Sequence, residues 1–192
     1  TAYEISLGLV GSEMCIRDRY KIYPINKIED LKGSYGVILD DIVAGINFVF
    51  EGAIKDDVTP SRNFGSEKNS DIHLEVLANW NEDAPRGSPI DGFVAYLRIK
   101  AEIENQYNSQ VMVLDLLPHI NLSDNLHYAL NTKLPGKKDD LYSIKFTILP
   151  PETSKLGLHY DWREEVGPVI LETFTFEYKN LDFSEIASSK RR

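Results

Sequence analysis

The chain has 192 residues, a formal net charge of −9 and 42% hydrophobic residues, enough for one ordinary domain with a buried core. So acidic a surface repels phosphates and anionic headgroups, which argues against a nucleic-acid partner and leaves cationic ligands open. No apolar stretch approaches the roughly 20 residues of a membrane-spanning helix. The one cysteine, Cys15, supports neither a disulfide framework nor a thiolate metal site.

Residues 1–19 resemble a translated sequencing-adapter read-through and are expected to be non-native. Their apolar run, Ile5 to Val10, is shorter than the roughly 7 to 15 residues of a secretory core and follows Glu4 where a basic residue belongs. Any native signal or lipoprotein anchor is expected to be lost with the true start. The body is expected to be one domain over 20–183, followed by an exposed tail over 184–192.

Along the body the dominant period is two. Strands are expected at Tyr35 to Leu39, Gly45 to Phe50, Ile72 to Leu77 and Val111 to Leu117, the last stopping at Pro118. Phe93, Ala95, Leu97, Ile99, Ala101 and Ile103 form the buried face of a further strand. Tyr142, Ile144, Phe146 and Ile148 repeat the pattern, as do Phe174, Phe176 and Tyr178. Segments rich in Gly, Pro, Asn and Asp separate these runs, and no long helical period occurs. The expected fold class is all-β, an immunoglobulin-like antiparallel β-sandwich in a single domain.

All four histidines fall in three short blocks. In the first, Asp71-Ile72-His73-Leu74-Glu75, a strand period puts His73 and Glu75 on one face, where they can address one ion or simply form a solvated sheet edge. In the second, His119 and His127 flank a turn containing Asn121, Ser123, Asp124 and Asn125; each alone reads equally as a hydrogen-bonded loop histidine. His159 lies in the third, Gly157-Leu158-His159-Tyr160-Asp161, after Pro150-Pro151. Neutral imidazole is the commonest ligand for zinc, copper and iron, so the confinement of every histidine to these blocks points to one metal site.

As a set, the three blocks resemble the bacterial periplasmic metal-binding proteins of the ferrous-iron transport family, some of which are lipoproteins. The resemblance rests on Asp71 to Glu75, on Pro118 with His127-Tyr128, and on Pro150-Pro151 with Gly157, His159 and Asp161, spanning roughly Ile46 to Tyr178. It implies a periplasmic homodimer that binds copper through three histidines and a methionine, with acids nearby for iron, and that passes iron to an inner-membrane permease. The implied metal residues are His73, Glu75, His119, His127 and His159, with His73, His127 and His159 converging and with zinc as a further candidate ion.

His119 stands where the family has methionine, and the loop to His127 is one residue longer, so His119 either replaces the thioether or swings out to solvent. Met112 reads as core. Asp56, Asp57 and Asp71 are candidates beside the ion, or plain surface acids. Two other functions use the same residues differently: a copper or iron oxidoreductase, and a structural adhesion sandwich whose histidines are scattered.

Overall fold

The computed structural model describes residues 45–165 and 172–190 together with the short strand segments 23–24 and 40–43. The expected leader and the strand expected at Tyr35 to Leu39 lie outside the described residues. Nine strands are present among the described residues: β1 (Tyr23–Pro24), β2 (Asp40–Val43), β3 (Ile46–Ala53), β4 (Ile72–Trp80), β5 (Arg98–Asn105), β6 (Val111–Asn121), β7 (Asn125–Thr132), β8 (Leu141–Leu149) and β9 (Phe174–Asp182). All pairings are antiparallel, in the order β1-β3-β4-β7-β6-β5-β8-β9, and β2 also pairs with β3. The fold is an all-β sandwich, as the period of two implies.

The two layers meet through alternate side chains. Phe48 and Phe50 of β3 face β8 and β9, with ring centroids 4.6 Å apart for Phe50 and Phe146 and 4.9 Å for Phe50 and Phe176. Ile72, Leu74 and Val76 of β4 and Ile99, Ala101 and Ile103 of β5 are buried in the same core. The strand expected from Phe93 begins only at Arg98. Tyr96 has φ 65°, outside extended geometry, so Val94 is buried in this stretch while Ala95 is exposed.

Strand β6 joins the layers. Its first half pairs with β5 as far as Leu116, and from Leu117 to Asn121 it pairs with β7. Pro118 therefore does not end the strand. It sits just past the point where β6 leaves β5, where a missing N–H disturbs a ladder least.

Among the described residues three short α-helices, α1 (Ser61–Phe64), α2 (Tyr160–Glu165) and α3 (Ser184–Ser188), flank the sheets. The last corrects the expected exposed tail. Ile186 and Ala187 are buried, Phe183 packs on Gly52 where no Cβ intervenes, and two lysines cap the helix's last carbonyls. Lys55 Nζ donates to Ala187 O at 2.9 Å and Ser189 O at 2.7 Å, and Lys138 Nζ donates to Ala187 O at 2.8 Å. Lys55→Met keeps the buried stem but removes a charged donor. It should cost about 2 kcal/mol and expose residues 184–189 to hydrogen exchange; unchanged protection there would show that the lysine does not hold the helix.

Candidate metal centre

The candidate centre lies on the outer face of the β3-β4-β7-β6 layer, opposite the core. Register puts Glu51 across from Glu75, Ala53 across from His73, His73 across from Asn131 and Glu75 across from Ala129. On the far side His119 stands across from His127. His73 and Glu75 thus occupy an interior strand rather than a solvated edge. The small Ala53 and Ala129 leave room between the larger side chains.

The β6–β7 turn fixes the pairing of His119 with His127. Asn121 Oδ1 accepts from Ser123 N at 3.0 Å and Asp124 N at 2.6 Å, Asn121 Nδ2 donates to Asp124 Oδ2 at 2.7 Å, and Asn125 takes φ 61°. Asparagine tolerates that left-handed geometry better than most residues. With this turn holding His119 across from His127, His119 points inward with the other two. Its ring meets the edge of Phe64 with centroids 4.7 Å apart.

His73, His119 and His127 each offer a nitrogen within 4.8 Å of the other two. That spacing is within reach of one ion bound about 2.0–2.1 Å from each nitrogen with small side-chain adjustment. Two hydrogen bonds fix which nitrogens face the ion. Asn131 spends its Nδ2 on Asp56 O and Gly65 O, leaving Oδ1 to accept from His73 Nδ1 at 2.9 Å. His127 Nδ1 donates to Asn125 O at 3.1 Å. Each ring therefore presents an Nε2 lone pair, His73 at 3.6 Å and His127 at 3.5 Å from Glu75 Oε2. His119 Nε2 is buried with no partner.

Gly65 makes the Asn131 bridge possible. It has φ 77°, and a Cβ there would collide with the Asn131 carbonyl.

Burial controls protonation. It pushes His73 down to about 4 and His119, further lowered by the other two imidazoles, to about 3. His127 is lowered for the same first reason. Burial pushes Glu51 up to about 7, and raises Glu75 well above the usual carboxylate range with help from Glu51 and Asp124. Neutral imidazoles facing a carboxyl that holds a proton form a site waiting for a cation.

A cavity of about 280 Å³ opens over these groups; Asp56, Asp57, Phe64 and Asp124 are among the residues that line it. No lysine or arginine lines it, so its field favours positive ions. Imidazole nitrogens with carboxylate oxygens suit borderline divalent ions such as Zn(II), Cu(II) and Fe(II).

The remaining candidates sit elsewhere. Asp71 accepts from Leu134 N at 3.1 Å and pairs with Lys138 Nζ at 3.3 Å. Met112 Sδ accepts from Thr132 Oγ1 at 3.2 Å, outside the cavity. His159 does not join the other three within one chain. It is exposed at the start of α2, whose Trp162 packs on Trp80 with centroids 6.2 Å apart. Trp80 ends β4 and His73 is its second residue, a separation of roughly 23 Å at strand rise. Glu51 and Asn131 are site residues that sequence reasoning missed, because no histidine block contains them.

Residues 36–184 match the sequence profile described as Fe2+ transport protein. The chain belongs to that family. A curated relative, UPF0423 protein BAB2_0840 of Brucella abortus, is 33% identical over 106 residues, covering 53% of this chain and 56% of its own length. The chain thus spans just over half the length of the curated relatives it matches.

Among solved structures, a copper-bound variant of Campylobacter jejuni P19 superposes with TM-score 0.67 at 23% identity, covering 83% of this chain and 96% of that one. FetP of uropathogenic E. coli strain F11, recombinantly expressed in the periplasm of E. coli BL21(DE3), gives TM-score 0.63 at 20% identity with the same coverages. These structures share the fold. Among the described residues no helix is long and apolar enough to cross a membrane.

Proposed function

We propose that this protein is a periplasmic metal-binding accessory protein of iron uptake, which captures copper and iron ions and passes iron to an inner-membrane permease without turning over an organic substrate. One observation carries the reading: three buried imidazole nitrogens within 4.8 Å of one another, over a buried carboxyl. Membership of the Fe2+ transport protein family supports it, and so does the copper in the P19 variant of the same fold. The adhesion alternative required scattered histidines, whereas three of the four meet in one cavity.

The working unit in this reading is a homodimer. His159 is exposed and too far from His73 to share an ion within its own chain. Offered to the cavity of a second copy, it would supply the further imidazole that the family resemblance implies.

Metal analysis of protein isolated from periplasm tests the reading, with copper or iron expected at close to one ion per chain. Added Zn(II) or Cu(II) should raise the melting temperature, since an ion at 100 times its Kd stabilises the folded state by about 2.7 kcal/mol. Protein free of metal whose melting temperature ignores both ions would refute it.

A further inference from the structure

We propose that Glu51 is a specificity-determining residue of this site, a second carboxylate that biases it toward divalent over monovalent cations. The inference rests on the metal-binding reading above and adds to it a residue that lies in none of the histidine blocks.

Glu51 stands directly across from Glu75 on adjacent strands, so the two side chains lie side by side on the outer face of the layer. They are 5% and 3% exposed. Glu51 Oε2 is buried without a partner. Among the described residues, neither carboxyl forms a salt bridge with a lysine or arginine; the basic groups near Glu75 are the imidazoles of His73 and His127.

Nothing in the strand itself calls for this residue. Glutamate is disfavoured in strands, and a buried carboxyl without a cation costs stability that an apolar side chain would not. The acid makes sense as half of a charge balance. Neutral imidazoles contribute no charge and Asp56, Asp57 and Asp124 lie at the more solvated rim of the cavity, so among the buried groups Glu75 offsets one charge of the ion and Glu51 is the acid placed to offset a second.

Coulomb's law gives the size of the preference. A unit charge roughly 5–7 Å from the ion, at an effective dielectric near 20, separates divalent from monovalent binding on the order of 100-fold.

The test compares Zn(II) and Cu(I) affinities of wild-type protein, Glu51→Gln and Glu51→Asp at one pH. Glu51→Gln should lose on the order of 100-fold more in Zn(II) affinity than in Cu(I) affinity, and its apo melting temperature should rise because a buried acid is gone. Glu51→Asp keeps the charge and should keep most of the Zn(II) preference. Parallel losses for both ions, no loss for either, a Glu51→Asp that behaves like Glu51→Gln, or a Glu51→Gln that melts lower or fails to fold would each overturn the inference. Wild-type protein that binds both ions beside an unaltered Glu51→Gln overturns this inference alone. Wild-type protein that binds neither ion overturns the metal reading itself.

Discussion

His127→Ala is expected to weaken Zn(II) and Cu(II) binding by about 100-fold or more, since even the loss of a hydrogen-bond partner behind a metal ligand typically costs 10- to 100-fold. His73→Ala should match it, because both rings have Nε2 fixed toward Glu75 by a hydrogen bond on the opposite nitrogen. His119→Ala should weaken Cu(II) less, its ring being steered by the edge contact with Phe64. His119→Met exchanges a borderline imidazole for a soft thioether, so Cu(I) affinity should rise relative to Zn(II) and Cu(II). Isothermal titration of each ion measures the series. Wild-type affinity in folded His127→Ala would remove the proposed site, and unaltered affinities in both His119 variants would leave His119 a bystander.

The parts of this site legible in the sequence were those that repeat locally. A period of two put His73 and Glu75 on one face, and the turn residues between Asn121 and Asn125 marked the reversal that brings His119 opposite His127. Long-range register was not legible. Glu51 and Asn131 belong to the site only because β3 and β7 flank β4 in one particular alignment, and a slip of a single residue would turn both side chains to the core. His159 shows the reverse case, since its block matches the family while Trp162, three residues on, anchors the segment at the far end of β4.

Strand extents show a similar division. The alternation at Tyr142 to Ile148 survives intact because each of those residues faces the other layer, and all four are buried. The same alternation drawn back to Phe93 fails because one backbone angle at Tyr96 breaks the extended run, and composition carries no trace of that. Ser184 to Ser188 looked like a tail by its polar residues, yet Ile186 and Ala187 suffice to dock it once Lys55 and Lys138 cap the helix.

The stability of the apoprotein is expected to respond to pH in two opposed ways, and Glu51→Gln separates them. In the unfolded chain histidine titrates at 6.5, whereas folded His73 and His119 titrate at about 4 and about 3. Between those values the unfolded chain binds more protons, so each histidine contributes stability that is present above pH 6.5 and lost as the pH falls. The carboxyl pair acts in reverse. Glu51 moves from 4.5 in the unfolded chain to about 7 on folding, so its contribution is present below pH 4.5 and lost as the pH rises through 7. Glu51→Gln should therefore match wild type near pH 4.5 and exceed it at pH 8 by up to about 3 kcal/mol, at 1.36 kcal/mol per pKa unit. Urea unfolding at the two pH values measures the difference. Metal affinity follows the same carboxyls: it should climb as the pH rises through about 7, where Glu51 gives up its proton, because the imidazoles are already neutral there. An affinity that tracked only histidine titration near 6.5, in wild type and Glu51→Gln alike, would mean that these rings are solvated rather than buried.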